Sequence, residues 1–155
     1  MKPSARGVCS LFSSAIALVS VLSGFALAQT PPPLLAQGGF EVPVLPAGTS
    51  QATPPPSTGT LWAFGGRSGI AANGSTINAG NPPAPEGNQI AYVTGGTGTA
   101  ISQSFTATSG RHVITSKAAQ RIQAGTADTQ TVSVQIDGLE IQRLTPTRGS
   151  YAVYQ

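Results

Sequence analysis

The stretch TVSVQIDGLEIQR, residues 131–143, decides the fold class. In TVSVQI apolar and polar residues alternate, so that Val132, Val134 and Ile136 point to one predicted inner face. Asp137-Gly138 follows, and Asp-Gly between two alternating runs is the strongest short-range signal for a β-hairpin. The returning run LEIQR alternates again, which places Leu139 and Ile141 inward and Glu140 outward. The stretch therefore predicts an antiparallel hairpin.

The same period of two continues on both sides of this hairpin. QIAYV (89–93) and TAISQSFTA (99–107) alternate before it, RHVITSKA (111–118) is typical of a strand buried on both sides, and SYAVYQ (150–155) closes the chain. Gly, Pro, Asn and Thr separate these runs, and we find no sustained apolar stripe at helical spacing. Together they predict an all-β protein, an antiparallel β-sandwich or barrel.

The N-terminus predicts export. Lys2 and Arg6 precede an apolar run from Leu11 to Leu27, and Ala26-Leu27-Ala28 before Gln29 is a small-x-small cleavage pattern. This combination is typical of a secretory signal peptide, residues 1–28. The apolar run is interrupted by Ser and Gly and no basic stop follows it, which argues against a membrane anchor. We expect a secreted or periplasmic protein that leaves the membrane after cleavage.

Charge limits the partners that we expect, and cysteine content limits the disulfides. Of the eight Lys and Arg residues, Lys2 and Arg6 fall in the signal peptide, so six remain against five acidic residues. The six do not cluster, whereas nucleic-acid binding needs a basic patch, so we expect no nucleic-acid partner. The one cysteine, Cys9, also lies in the signal peptide. No disulfide is therefore expected, and the fold must be held by its core. Oligomeric state is left open.

Proline-rich segments divide the remaining chain. QTPPPLLAQ (29–37) is typical of a linker, because consecutive prolines enter neither a helix nor a central strand. ATPPPSTG (52–59) and NPPAPEG (81–87) are typical of surface loops within one domain. We therefore expect one β domain over residues 38–155. SYAVYQ resembles a strand in mid-course, so we expect the domain to lack its last strands and to continue in a longer protein.

The residues do not suggest catalysis. His112, the single histidine, has no partner at metal-ligand spacing. Glycoside hydrolysis needs two facing carboxyl groups, and nothing in the spacing pairs any two of the five acids. Neither a phosphate-binding loop nor a nucleophile elbow is present. We expect a non-catalytic protein.

The aromatic segment WAFGGRSGIAANGS (62–75) is the most site-like stretch. Trp62 and Phe64 stand two apart and share a strand face, which favours a core position; Arg67 and the Asn73-Gly74 turn remain as ligand-side groups. A sugar site combines an aromatic face with amide and guanidinium donors. The residues predicted to bind a ligand are Asn73, Gln89, Gln103 and Arg121.

Several segments resemble a known family in their order. They are GGFEVP (38–43), W-x-F-x-G-x-x-G-I (62–70), NGS (73–75), PPAPEGNQIAYV (82–93), AISQSF (100–105) and AAQR (118–121). The chain resembles secreted bacterial domains with a galactose-binding-like β-jelly-roll, which are related to carbohydrate-binding modules. The order carries the resemblance, which covers Gly38 to Gln155. Ser116-Lys117 departs from it, since relatives tend to have an aromatic residue there.

The resemblance implies both a fold and a function. It implies a jelly-roll sandwich that binds glycan or cell-surface polysaccharide, and a structural calcium ion held partly by Glu41. Calcium takes six to eight oxygen ligands, and the family's closing acidic strand is absent here. Two alternatives stay open: a structural or adhesive spacer domain without a small-molecule site, and an accessory domain of a secreted glycoside hydrolase.

Overall fold

Short antiparallel strands make up most of the regular structure of this protein. The computed structural model describes residues 35–54, 56–107, 109–122 and 130–155, so the predicted signal peptide and most of the predicted linker lie outside the described residues. The strands in these ranges are β1 (Ser50–Ala52), β2 (Ala63–Gly65), β3 (Ser68–Ala72), β4 (Gln89–Val93), β5 (Ala100–Ser102), β6 (Ser116–Ala118), β7 (Val132–Ile136), β8 (Leu139–Leu144) and β9 (Ala152–Tyr154). A short 3-10 helix, Pro56–Thr58, follows β1.

Strand β3 lies at the centre of a three-stranded sheet of order β1-β3-β4. All five of its residues, SGIAA, are buried. At Gly69 a Cβ atom would lie 2.8 Å from Tyr92 Oη and 2.9 Å from Ala52 Cα. These residues are the cross-strand neighbours of Gly69 in β4 and β1. Glycine is therefore required here because both neighbouring strands approach too closely for a side chain.

The hairpin predicted at Asp137-Gly138 is confirmed as the β7–β8 pair, with Ile136 opposite Leu139. Both turn residues have positive φ, 50° at Asp137 and 80° at Gly138. This backbone is that of a type I′ turn, whose twist matches that of the flanking strands. The Asp137-Gly138 turn therefore correctly predicted that β7 and β8 pair.

The predicted inward position of the apolar residues on β8 is wrong. Leu139 is 71% exposed and Ile141 is 50% exposed. The register shifts next to Val134, which opposes Gln142, whereas the following residue, Gln135, opposes Glu140. Ile141 is therefore the extra residue of a β-bulge. A bulge breaks the alternation of side chains, and a period-of-two pattern does not reveal where one falls.

Two further pairs complete the regular structure of the described residues: β2 with β5 and β6 with β9, both antiparallel. The predicted runs 99–107 and 111–118 are strands only in part, since β5 and β6 have three residues each. Val113, predicted to lie on a two-sided strand, is in irregular backbone and is 59% exposed. The alternating pattern correctly predicted a strand in each segment, but it predicted longer strands than the structure has.

The aromatic residues pack near the N-terminal end of the described chain. Trp62 and Phe40 have ring centroids 4.9 Å apart in a tilted arrangement. Trp62 Nε1 also donates a hydrogen bond of 2.9 Å to the carbonyl oxygen of Gln37. Trp62 and Phe64 are half-buried, where the sequence predicted a core position. Trp62 therefore holds the segment around Gln37 and Phe40 by a hydrogen bond and by an aromatic contact.

The all-β class is confirmed for the described residues, because every paired strand there is antiparallel and the only helix is the 3-10 turn. Their fully buried apolar residues are few: Ile70, Ala71, Ala72 and Leu144. Three of these belong to β3, so the core is centred on that strand. Within the described part of the chain, we find no helix of the length and apolarity that a membrane span requires.

Candidate functional site

Glu41, predicted to bind calcium, lies against the start of β4. Its Oε1 accepts hydrogen bonds from the backbone N–H groups of Asn88 (2.7 Å) and Gln89 (2.8 Å). The described residues include no group of three or more His, Cys, Asp or Glu side chains able to hold a metal ion. Because calcium takes six to eight oxygens, this donor set does not fit it. Calcium binding stays a prediction from the resemblance.

Gln89, one of the predicted ligand contacts, is 2% exposed. Its Nε2 donates to the carbonyl oxygens of Phe40 (2.6 Å) and Pro43 (3.0 Å), and its Oε1 accepts from the N–H of Leu45. The amide therefore supplies hydrogen bonds to a loop that has no strand partner over residues 40–45. Its donors and its acceptor are used within the chain.

Asn73 and Gln103 also engage the backbone. Asn73 Oδ1 accepts from the N–H of Ala84 at 2.7 Å, which ties the turn after β3 to the NPPAPEG loop. Gln103 Oε1 accepts from the N–H of Ala36 at 2.8 Å, and its Nε2 donates to the carbonyl of Ala36 at 3.0 Å. Gln103 lines a cleft of about 370 Å³ together with Leu61. It thus lies apart from the cleft described next.

Arg121 lines a larger cleft, of about 550 Å³. The polar residues that line it are Arg67, Tyr92, Thr94, Arg121 and Gln130. Its apolar wall includes Ala52, Ile77 and Val93. Binding sites in proteins commonly fall in this size range and combine an apolar wall with a few convergent polar groups. The predicted ligand residues are therefore not brought together: Arg121 borders this cleft, Gln103 the smaller one, and Asn73 and Gln89 neither.

The backbone of Arg67 is held firmly at the rim of the larger cleft. Its N–H donates to Thr99 Oγ1 at 3.1 Å, and its carbonyl accepts from the N–H and the hydroxyl of Thr94 at 3.0 and 2.9 Å. Gly66 before it has φ 62°, and a Cβ there would lie 2.8 Å from Gly98 O, so only glycine fits the bend. Within the described residues we find no hydrogen bond or ion pair of the guanidinium group.

Arg121 is held from both sides by Asn81. Asn81 Nδ2 donates to the carbonyl of Gln120 at 3.1 Å, and Asn81 Oδ1 accepts from the N–H of Ile122 at 3.1 Å. One guanidinium nitrogen of Arg121 donates to Thr76 O at 3.0 Å. Its Nε is buried without a hydrogen-bond partner in the described structure. Asn81, in the loop that the prolines predicted, thus positions a cationic group at the cleft.

Tyr92 lines the larger cleft, although the sequence did not single it out as a binding residue. It belongs to the alternating run QIAYV, in which it shares a face with Ile90, and its side chain extends over Gly69 into the cleft. Burial raises the pKa of the Tyr92 phenol above 10.0, its ordinary value, so the group is neutral at physiological pH. A glycine in one strand and an aromatic residue in another signal such an arrangement only when the register is known.

The larger cleft is electropositive over its described lining. Arg67 and Arg121 are its charged groups, and Asp and Glu are absent from the described lining residues. Glu140 is engaged elsewhere, 2.9 Å from Arg143, whose hydrogen bond lowers the pKa of this carboxyl. His112 is exposed.

The arrangement offers two guanidinium groups, a neutral phenol, a hydroxyl and an amide beside an apolar wall. Such groups bind and orient a ligand through hydrogen bonds and charge.

Comparisons with family models, with curated proteins and with solved structures found no match to this chain.

Proposed function

We propose that this protein is an exported, non-catalytic module that binds a glycan, and that the larger cleft is its binding site. The observation that carries the proposal is the convergence of Tyr92, Arg67 and Arg121 on one cleft. Sugars present apolar C–H faces and a ring of hydroxyl groups. An aromatic side chain beside guanidinium and amide donors matches both features.

The rigid setting of these groups supports a binding role. Gly69 leaves space for Tyr92, the Thr94 and Thr99 hydrogen bonds hold Arg67, and Asn81 brackets Arg121. Backbone that is already held loses little further conformational entropy on binding, so the remaining entropy cost falls mainly on the arginine side chains.

The acidic residues with defined contacts have structural roles, which supports a non-catalytic function. Glu41 accepts two backbone hydrogen bonds, and Glu140 pairs with Arg143. A glycosidase would need two carboxyl groups facing the substrate. Export is proposed on the N-terminal pattern of residues 1–28.

The architecture proposed for this function is a galactose-binding-like jelly-roll sandwich. Short antiparallel strands and long connecting loops are consistent with it. In such sandwiches, loops at the end of the sheets carry the binding residues. Arg67 and Arg121 lie at or beyond strand ends, in agreement with this pattern.

Retention of the full chain on a panel of immobilised neutral and acidic polysaccharides tests the proposal. We expect saturable binding that Arg121→Ala weakens and Gln103→Ala does not, because only Arg121 lines the larger cleft. Loss of binding in Gln103→Ala alone would move the site to the smaller cleft. If no polysaccharide is retained, the binding proposal fails and the spacer alternative is favoured.

A further inference from the structure

The charge balance of the larger cleft suggests which class of glycan it binds. Two arginines line it, and acidic residues are absent from its described lining. Two cations that line one cleft repel each other. A ligand that carries negative charge offsets this repulsion, whereas a neutral sugar does not.

The two guanidinium groups have donors available for such a ligand. The backbone of Arg67 makes three hydrogen bonds, while its guanidinium group makes none to the described residues. Arg121 uses one nitrogen for Thr76 O and its Nε is buried, so its remaining Nη donors are the ones that can meet a ligand.

We propose that the larger cleft recognises an acidic saccharide, with a sugar carboxylate bound by Arg67 and Arg121 and the sugar ring packed beside Tyr92. This inference rests on the proposed function and specifies its ligand class. A planar carboxylate matches the guanidinium fork with two parallel hydrogen bonds. The neutral Tyr92 hydroxyl and the Gln130 amide are then available for sugar hydroxyls.

Calorimetric titration of the full chain with matched oligosaccharides tests the inference. The probes are oligomers of galacturonate, mannuronate and glucuronate, the methyl esters of the same oligomers, and neutral galactose oligomers. Methyl esterification removes the charge and keeps the sugar ring. We expect at least one free acid to bind about tenfold more tightly than its ester, and binding to weaken at high ionic strength.

Variants locate the charge recognition. Arg67→Gln should weaken binding of the acidic oligomer about tenfold to a hundredfold, the effect of losing hydrogen bonds to a charged group. Arg67→Lys should recover only part of this loss, because an ammonium group lacks the fork. Arg111→Gln is the matched control, since Arg111 is exposed and outside the cleft lining. Arg67→Gln should leave the melting temperature unchanged, which separates binding from folding.

Each other outcome overturns the inference in a recognisable way. Equal binding of acid and ester would show that the carboxylate is not recognised. Equal affinities of Arg67→Gln and Arg111→Gln would show that Arg67 does not bind it. Glycan binding would stand in both cases. Competition by inorganic sulfate at the same concentration as the oligomer would indicate a simple anion site. If no saccharide binds in any form, the proposed function fails together with the inference.

Discussion

At the scale of single residues, Gln89 holds the loop of residues 40–45 in place. It is 2% exposed, and its amide serves three backbone groups within residues 40–45. Beside it, Glu41 binds the N–H groups of Asn88 and Gln89, so the two side chains hold the loop and the strand together. From the sequence, Gln89 was predicted to bind a ligand and Glu41 to bind calcium. In the structure both side chains make hydrogen bonds to the backbone.

Gln89→Glu should therefore destabilise the fold strongly. The new carboxylate oxygen would face the carbonyls of Phe40 and Pro43 where an amide now donates, leaving buried acceptors unsatisfied. We expect a loss of about 2 kcal/mol or more in the free energy of unfolding, measured by urea denaturation. Gln155→Glu, at an exposed position, is the control. Equal stability of the two variants would contradict the structural role of Gln89.

At the scale of elements, β3 links the fold to the cleft. Its small residues lie between β1 and β4, and Gly69 leaves the space that the Tyr92 side chain occupies. The absence of a side chain at Gly69 lets Ala52 of β1 and the Tyr92 hydroxyl of β4 approach closely. A strand of this composition positions residues on its neighbours rather than binding anything itself.

Gly69→Ala should impair both folding and binding. The added Cβ would lie 2.8 Å from Tyr92 Oη and 2.9 Å from Ala52 Cα, so Tyr92 must move or the sheet must separate. We expect a loss of stability of about 1–3 kcal/mol in urea denaturation, with weaker saccharide binding. Gly38→Ala is the matched control, because nothing lies within 4 Å of its added Cβ. An unchanged melting curve for Gly69→Ala would contradict the close strand approach.

The β7–β8 hairpin shows what sequence patterns predict at this scale. Its turn and partners followed from Asp137-Gly138 and from the flanking alternation. The bulge at Ile141 did not, because it depends on how the two strands are twisted against their surroundings. Local turn chemistry is readable from sequence, whereas local irregularity is a response to packing.

At the scale of the whole molecule, stability depends on a small apolar core and on buried polar groups. The fully buried apolar residues of the described structure are Ile70, Ala71, Ala72 and Leu144, while Ser68, Ser75 and Gln89 are among the buried polar ones. Buried polar groups stabilise only when hydrogen-bonded. Small changes in their protonation or pairing should therefore have measurable effects on unfolding.

Alkaline pH provides such a test. Burial raises the pKa values of Tyr92 and Tyr151 above 10.0, because the folded state disfavours the phenolate. The stabilisation is thus complete below pH 10.0, the ordinary tyrosine pKa, and is lost as pH rises through the folded-state values. We expect the urea midpoint to fall above this pH. The fall should be smaller in the double variant Tyr92→Phe/Tyr151→Phe, and an identical fall would contradict the assignment.

The sequence by itself determined the strand class, the hairpin turn and the loops, because each depends on residues close together in the chain: alternation, Asp-Gly and proline. It also placed Arg121 among the binding candidates. Only the tertiary structure decided that Tyr92 reaches the cleft over Gly69, that Arg67 and Arg121 line it together, and that Gln89 is buried. These facts depend on strand register and on contacts between distant segments, which no local pattern of residues encodes.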